Sequence, residues 1–548
     1  MRHHRLGRAR TNTARTLAPW CAGLALALLA SGAARAGDCA GLKSKAPADA
    51  EITAATPQPA GPFVVPPELG PARTVQLPAF CRVQGILHPA SDSRIAFEVW
   101  LPDQGWNGRF QGIGNGGFAG SIGYSGLVAA VQGGYAAAST DTGHSQGGTD
   151  ASWAKGHPEK VVDFGWRAIH LTTVTGKTLA EAFYGAAPRK SYFTSCSNGG
   201  RQGLMEAQRF PEDYDGIIAG APAYNWTGLF TDFVWNAQAL SRPGAMIPAA
   251  KTPAIAAAVL ANCDTLDGVK DGLVSDPRRC RFDPEKLRCA DKETNACLTG
   301  PQIAALGAIY RGAHASNGKQ IYFGFLPGGE TAPGSPGWDL WIFGPAPGAS
   351  VQNAFGGNFV KDIVGAPDAW KPADFDFDRD FGPLRAKTAA TFDATDPNLS
   401  RFAARGGKLI LFHGWSDAAI PGQGTVAYRD EVVRQMGAKR AARFMRLFMV
   451  PGMHHCGGGT GPSDFGQGGV PAPSHDPSTD LAAALETWVE QGRAPEQVVA
   501  RQLSGLGAAD SRPVRTGLIC AYPNRATLAS GSDPMRAESY SCRAPQAL

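Results

Sequence analysis

Tyr192-Phe-Thr-Ser-Cys-Ser197-Asn-Gly-Gly200 decides the fold. Lys190–Thr194 is a short strand-forming run, and Gln202–Arg209, beyond the glycines, has a helical pattern. A strand, a tight turn with serine at its apex, then glycines and a helix is the geometry of a nucleophile elbow. Such a turn lifts the Ser197 hydroxyl out of the sheet. It also puts the following N–H at a helix N-terminus, where it can stabilise an oxyanion. Gly199 fills the second glycine position of G-x-S-x-G, but Ser195 stands in the first, so the strict motif fails by one residue. A serine in this setting can also be no more than a helix N-cap.

A serine nucleophile needs a base and a group to orient it. Working outward, Arg94–Leu101 alternates like a strand, and Gly216–Gly220, Lys408–Phe412 and Arg443–Val450 read as further strands, with an amphipathic helix over Ser478–Gln491. Strands followed by Gly-rich turns and helical patterns indicate an α/β fold. In α/β-hydrolases the order is serine, acid, histidine, each just past a strand. Here Lys408–Phe412 leads into His413-Gly-Trp-Ser-Asp417, and Arg443–Val450 leads into Pro451-Gly-Met-His-His455-Cys456. Asp417 and one of His454 and His455 therefore lie where such a sheet carries its catalytic groups.

The cysteines discriminate between the two histidines. Cys196 immediately precedes Ser197 and Cys456 immediately follows His455. A Ser197–His455 hydrogen bond would bring the two cysteines within reach of the roughly 4.4–6.8 Å Cα separation of a disulfide. That bond would fix the nucleophile–base distance. A Cys196 thiol acting with His455 is the rival, disfavoured because an exported protein with an even cysteine set oxidises such a thiol.

Export is read from the N-terminus. Residues 1–36 hold six arginines and no acid, then the apolar run from Leu17 to Ala30, then Ala34-Arg35-Ala36 as a cleavage pattern. This is a secretory signal peptide, too short for a membrane anchor. The whole chain of 548 residues carries 52 basic and 47 acidic side chains, a formal charge of +5; without the leader the balance is 46 to 47. No basic excess remains to imply nucleic acid. The leader also takes Cys21, leaving an even ten cysteines, which reads as a disulfide framework. The expected protein is exported to the periplasm or the medium, without a membrane anchor after cleavage. No motif specifies an oligomeric state.

Two further features carry chemistry. Arg109-Phe-Gln-Gly-Ile-Gly-Asn-Gly-Gly117-Phe-Ala-Gly120 contains G-x-G-x-x-G, but no clear helix follows it, which argues against dinucleotide binding and leaves no organic cofactor expected. A Gly-rich loop after an early strand also supplies a second oxyanion N–H, here from Gly117 or its neighbour Gly116. Cys263-Asp-Thr-Leu-Asp-Gly-Val-Lys-Asp-Gly-Leu273 interleaves carboxylates with glycine. Asp264, Asp267 and Asp271, with the carbonyl oxygens of Val269 and Leu273, suit a hard cation such as Ca²⁺ although the spacing is not that of an EF-hand. The texture changes between about 224 and 404, where Ala, Gly, Pro and Trp are abundant and strand signals few. The expected organisation is a leader at 1–36, a core at 37–223, an inserted lid at 224–404 and the rest of the core at 405–548.

Cys196-Ser-Asn-Gly-Gly-Arg-Gln-Gly203, Arg209-Phe-Pro-Glu-Asp-Tyr-Asp-Gly-Ile-Ile-Ala-Gly-Ala-Pro222, Gly414-Trp-Ser-Asp417 and Pro451-Gly-Met-His-His-Cys456 together resemble the tannase/feruloyl esterase family. That family includes fungal feruloyl esterases, tannases and the bacterial mono(2-hydroxyethyl) terephthalate hydrolase. Trp106-Asn-Gly-Arg-Phe110, Thr140-Asp-Thr-Gly-His144 and Pro158-Glu-Lys-Val-Val-Asp-Phe-Gly165 are further matches, so the resemblance covers nearly the whole mature chain. It implies an α/β-hydrolase core with a lid, a Ser197/His455/Asp417 triad, oxyanion donors at Gly117 and Asn198, and a lid calcium site. It also implies disulfides Cys196–Cys456, Cys39–Cys81, Cys263–Cys280, Cys289–Cys297 and Cys520–Cys542. The sequence departs from the terephthalate monoester hydrolase at two points. Ile420 stands where that enzyme has a ring-stacking Phe. Its lid arginine has no counterpart between Gln320 and Val360, a stretch without Arg or Lys, though Lys361 lies just past its end. An unpaired buried carboxylate is costly, so a neutral phenolic acyl group of the feruloyl or galloyl type is expected. Trp341 and Phe355 are candidates for the surface that binds it. A non-catalytic binding protein on a hydrolase core is the reading from another class.

Overall fold

The computed structural model describes residues 37–67, 72–332, 336–472, 474–504 and 511–545. Residues 1–36, expected from the sequence to be a signal peptide, lie outside the described residues. Nine strands form one sheet: β1 (Ala50–Gln58), β2 (Phe80–Leu87), β3 (Ile95–Pro102), β4 (Arg109–Ile113), β5 (Ala136–Thr140), β6 (Lys190–Cys196), β7 (Gly216–Gly220), β8 (Lys408–Gly414) and β9 (Met445–Val450). Their spatial order is β1-β2-β3-β5-β4-β6-β7-β8-β9. β4 to β9 run parallel, and β1 to β3 continue the sheet antiparallel beyond β5. This is an α/β fold, as the elbow and strand runs predict.

The strand sequences explain why both faces are covered. In β8, Leu409 and Leu411 join the core on one face and Ile410 and Phe412 the core on the other. A strand buried on both sides reads as a continuous apolar run, which is what Lys-Leu-Ile-Leu-Phe is. The longer helices are α1 (Tyr124–Gln132), α2 (Ala168–Tyr184), α3 (Asn198–Arg209), α4 (Trp226–Ser241), α5 (Thr252–Cys263), α6 (Gly300–Arg311), α7 (Val351–Asn358), α8 (Phe381–Phe392), α9 (Gln423–Met436) and α10 (Leu481–Gln491). Leu179 of α2, Leu204 of α3 and Val432 of α9 pack on one face; Leu127 of α1 and Leu485 of α10 pack on the other.

Two readings of the sequence need correction. A helix does follow the Gly-rich loop, namely α1, which Gly126 and two valines hide from a propensity reading. The C-terminal helix starts at Leu481, not Ser478, because the Asp480 side chain accepts the Ala483 N–H at 2.9 Å and caps it there.

Between β7 and β8 the described chain adds no strand to the sheet; α4 to α8 occupy that insertion. Asn225 caps α4, its side chain accepting the Gly228 N–H at 3.1 Å. All ten described cysteines are paired, as Cys39–Cys81, Cys196–Cys456, Cys263–Cys280, Cys289–Cys297 and Cys520–Cys542. Among the described residues no helix is long and apolar enough to cross a membrane.

Candidate active site

Register brings three loops to one end of the sheet. Cys196 of β6 pairs with Gly220 of β7, Gly220 with Phe412 of β8, and Gly414 with Val450 of β9. The chain leaves β6 at Ser197, β8 toward Asp417 and β9 toward His455.

Ser197 sits between β6 and α3 with φ 67° and ψ −125°, a left-handed conformation that non-glycine residues seldom adopt. Its side chain makes no cap hydrogen bond to α3, so the hydroxyl is not spent as an N-cap. The turn closes because its glycines have no Cβ. One on Gly200 would lie 2.2 Å from the Gly220 carbonyl oxygen, and one on Gly199 would lie 1.8 Å from the Ser195 hydroxyl. Ser195, the residue that breaks the strict motif, fits only because Gly199 makes room. Arg201, fully buried on α3, secures the turn. Its Nε donates to Asn198 Oδ1 at 2.8 Å and its Nη1 to the Gly165 carbonyl at 2.7 Å. Its guanidinium lies over the rings of Phe164 and Trp226, at 5.2 and 4.9 Å, which offsets part of the cost of burying that charge.

His455 Nδ1 lies 2.8 Å from Asp417 Oδ2. A carboxylate only accepts, so Nδ1 carries the proton and Nε2 is left as the basic nitrogen. Asp417 is buried; its Oδ1 also accepts the N–H groups of Ala419 and Ile420, at 2.8 and 2.9 Å. Burial alone would raise this carboxyl. The His455 charge and the hydrogen bonds from His413 and His455 overcome that and hold it well below the usual carboxylate range. His413 was not singled out from the sequence. It is the penultimate residue of β8, four residues before Asp417, and its buried Nε2 is 3.2 Å from Asp417 Oδ2 and 3.0 Å from the Ile420 carbonyl, with Nδ1 2.7 Å from the Thr425 hydroxyl. It supports the acid from beneath. His454 points elsewhere: it is buried, its Nε2 is 3.0 Å from the Thr331 carbonyl, and burial lowers its basicity. Of the two adjacent histidines, His455 is the one on Asp417. The Cys196–Cys456 bond spans 5.9 Å between Cα atoms and joins chain positions 260 residues apart. Cys456 itself has φ 65°, so positive-φ residues flank the site from both loops.

Ser197, Asn198, Gly117 and His455 line one cavity of about 50 Å³, with Trp226, Leu229, Phe230, Phe233, Trp341, Phe355 and Ile420 as its apolar wall. The candidates Trp341, Phe355 and Ile420 all fall here, whereas the contributions of Trp226, Leu229, Phe230 and Phe233 from α4 were not foreseen. The Trp341 ring stands edge-on to His455, centroids 5.5 Å apart, and lies parallel to Phe355 at 6.2 Å. Asn198 begins α3, so its N–H is one of the free donors of a helix N-terminus. Gly117 has φ 53°, and a Cβ there would lie 2.5 Å from the Gly148 carbonyl oxygen; only glycine fits. A larger cavity of about 130 Å³ lies between the 264–276 loop, Trp415 and the C-terminal strands. It contains none of Ser197, Asp417 and His455, and the chemistry selects the smaller one.

Behind the cavity wall, Asp232 of α4 accepts the Ala313 N–H at 2.9 Å, and Asn236 links it to Gln352, which donates to the Ala418 carbonyl beside the acid loop at 3.2 Å. Burial pushes Asp232 up to about 8 against the two hydrogen bonds that lower it. An unfolded aspartate ionises near 3.9, so between about pH 4 and 8 the native chain holds a proton that the unfolded chain has lost. Native stability therefore falls as pH rises through that window and levels off above it, by up to about 5 kcal/mol. Asp232→Asn should raise the melting temperature at pH 8 and change it little at pH 4.5. A pH series of thermal melts reads this, and a gain equal at both pH values would contradict it.

The 264–273 loop is closed by Cys263–Cys280. Asp264 Oδ1 accepts the N–H groups of Asp271 and Gly272, both at 3.1 Å; Asp267 accepts the Val269 N–H at 2.9 Å and the Ser275 hydroxyl at 2.6 Å; Asp271 pairs with Arg515. Burial raises the Asp271 carboxyl, Arg515 pulls it back and Asp267 raises it again, leaving it above the usual value. Leftover negative charge on an all-oxygen donor set fits a hard cation.

The model of the family "Tannase and feruloyl esterase" matches residues 81–543. The chain belongs to that family. An uncharacterised esterase of Xanthomonas campestris is 42% identical, with 94% of this chain and 92% of that one aligned. A probable feruloyl esterase B-2 of Aspergillus flavus is 36% identical over 76% of this chain and 79% of its own. The crystal structure of feruloyl esterase B from Aspergillus oryzae superposes with a TM-score of 0.82 at 29% identity, covering 92% of this chain and 99% of that one. This family member is a carboxylic ester hydrolase of the feruloyl esterase and tannase type.

Proposed function

We propose that the protein is an exported serine esterase that cleaves neutral aromatic esters of the feruloyl or galloyl type through an acyl-enzyme. The observation that carries this reading is the Asp417–His455 pair facing Ser197 across a cavity whose wall is aromatic and aliphatic and holds no Lys or Arg. His455 Nε2 takes the Ser197 proton as Oγ attacks the ester carbonyl. The N–H groups of Gly117 and Asn198 hold the oxyanion, and Asp417 keeps the imidazole oriented and stabilises its charge. His455 returns the proton to the leaving alcohol, and water then repeats the sequence to release the acid. The acyl ring would lie against Trp341, Phe355 and Ile420.

Methyl ferulate, methyl gallate, a terephthalate monoester and a short aliphatic nitrophenyl ester form the discriminating panel. The two methyl esters should be turned over with the highest kcat/KM. The terephthalate monoester should be poorer by about 10-fold or more, since its free carboxylate finds no cation. A preference for it would favour the reading as a hydrolase of polyester fragments. No turnover on any member would favour a binding protein.

We further propose Ca²⁺ as a structural ion held by Asp264, Asp267, Asp271 and the carbonyls of Val269 and Leu273. Bound there, it would neutralise the carboxylates and stiffen the insertion. Chelation should lower the melting temperature by several degrees, reversed by added Ca²⁺; an unchanged melt argues against the ion. Removal of the 1–36 leader would release the mature protein to the periplasm or the medium.

A further inference from the structure

At the end of the nucleophile helix opposite to Ser197 lies a cluster of ionisable groups that ester hydrolysis does not use. Glu206 is on the last turn of α3, Asp213 on the segment between α3 and β7, and His170 on α2. One ligand atom from each lies within 4.8 Å of the other two. His170 Nδ1 faces Asp213 Oδ2 at 2.6 Å, with its ring stacked on Phe210 at 3.7 Å. Glu206 is 1% exposed, and neither of its carboxylate oxygens has a hydrogen-bond partner.

That last fact calls for an explanation. A buried carboxylate with no donor costs several kcal/mol unless it is protonated or meets a cation. Protonated, it would share its hydrogen with the neighbouring Asp213 carboxylate; a divalent ion held between the two would satisfy both carboxylates at once. The nearby ammonium of Lys177 is engaged elsewhere: it donates to the Asp213 carbonyl oxygen and lies over the Tyr214 ring. We propose that His170, Glu206 and Asp213 form a binding site for one divalent transition-metal ion of the zinc type.

The ligand chemistry matches. One imidazole and two carboxylates are common zinc donors, and their charge balances a dication. An ion with bonds of about 2.0–2.2 Å holds tetrahedral ligands about 3.4 Å apart, inside the spread these atoms already have. The His170 side chain is 23% exposed, so the ion has a route in from solvent, and a water would complete its coordination. The site would fasten α2 to the end of α3 and leave the esterase residues untouched.

The experiment is a zinc titration of chelator-treated protein returned to saturating Ca²⁺, followed by calorimetry and by thermal melts. Wild type should take up one equivalent of Zn²⁺ and melt at a higher temperature with it. Glu206→Gln, which keeps the shape, should lose that uptake by more than the about 10–100-fold that removing an outer-shell partner costs. It should also show no zinc-dependent rise in melting temperature. His170→Gln, at the half-buried edge, is the second variant should the first fold poorly, with the same expected loss. No uptake by wild type overturns the proposal, as does uptake that survives in both variants.

Discussion

Ser197→Ala should lower kcat/KM on methyl ferulate by about 10⁴–10⁶-fold and leave the melting temperature within about 1 °C of wild type. The activity term follows from the covalent step, which has no nucleophile once Oγ is gone. The stability term follows from the elbow. Alanine is as strained as serine at φ 67°, and the hydroxyl makes no cap bond whose loss would be felt. His455→Ala should cost about as much as Ser197→Ala, and the double variant hardly more, because the two act as one unit. Asp417→Asn should cost about 10⁴-fold by presenting the wrong partner to His455 Nδ1. It should also destabilise, since a carboxylate that accepts from two backbone N–H groups and two imidazoles becomes an amide with donors facing donors. Full activity of Ser197→Ala on the panel would overturn the serine mechanism.

What the chain discloses before folding depends on how local the cause is. The elbow, the strands β6 to β9 and the loops after them are written in contiguous residues, because each strand is buried on both faces and each loop begins where the apolar run stops. The even cysteine set and the Cys196/Cys456 adjacency carry long-range information, since a cross-link records proximity. β5 is Ala136-Ala-Ala-Ser-Thr140, which by propensity is no strand at all; it is one because β3 and β4 flank it and it is buried throughout. α1 is masked by Gly126, whose missing Cβ lets Ile113 approach: a Cβ there would lie 2.6 Å from it. His413 went unnoticed as a partner of Asp417 because a histidine just past an apolar run looks like any loop residue until the following turn folds back over it. The aromatic wall from α4 was equally hidden. Trp226, Phe230 and Phe233 read as helix core and are core, packed with Phe118 and Phe359, and only the placement of α4 over Ser197 gives them a second role.

The Cys196–Cys456 bond should matter to catalysis as much as to stability. Cys196→Ser with Cys456→Ser should cost about 2–5 kcal/mol, the usual range for a native disulfide. The chain-entropy contribution grows with the logarithm of the closed loop. A loop of 260 residues should therefore exceed the 22-residue Cys520–Cys542 loop by about 2 kcal/mol. The catalytic consequence has a separate cause. Ser197 and His455 each adjoin one end of the bond, on loops leaving different strands, and Ser197 and Cys456 both hold positive φ. Without the cross-link both loops can relax toward ordinary backbone, and a displacement of about 1 Å between nucleophile and base costs about 10²-fold in rate. At a temperature where both variants remain folded by circular dichroism, the Cys196/Cys456 variant should have lost about that factor in kcat. The Cys520/Cys542 variant, cut on segments that carry no triad residue, should keep kcat near wild type while melting lower. Equal kcat in the two variants would mean that the disulfide holds the fold together without setting the distance between Ser197 and His455.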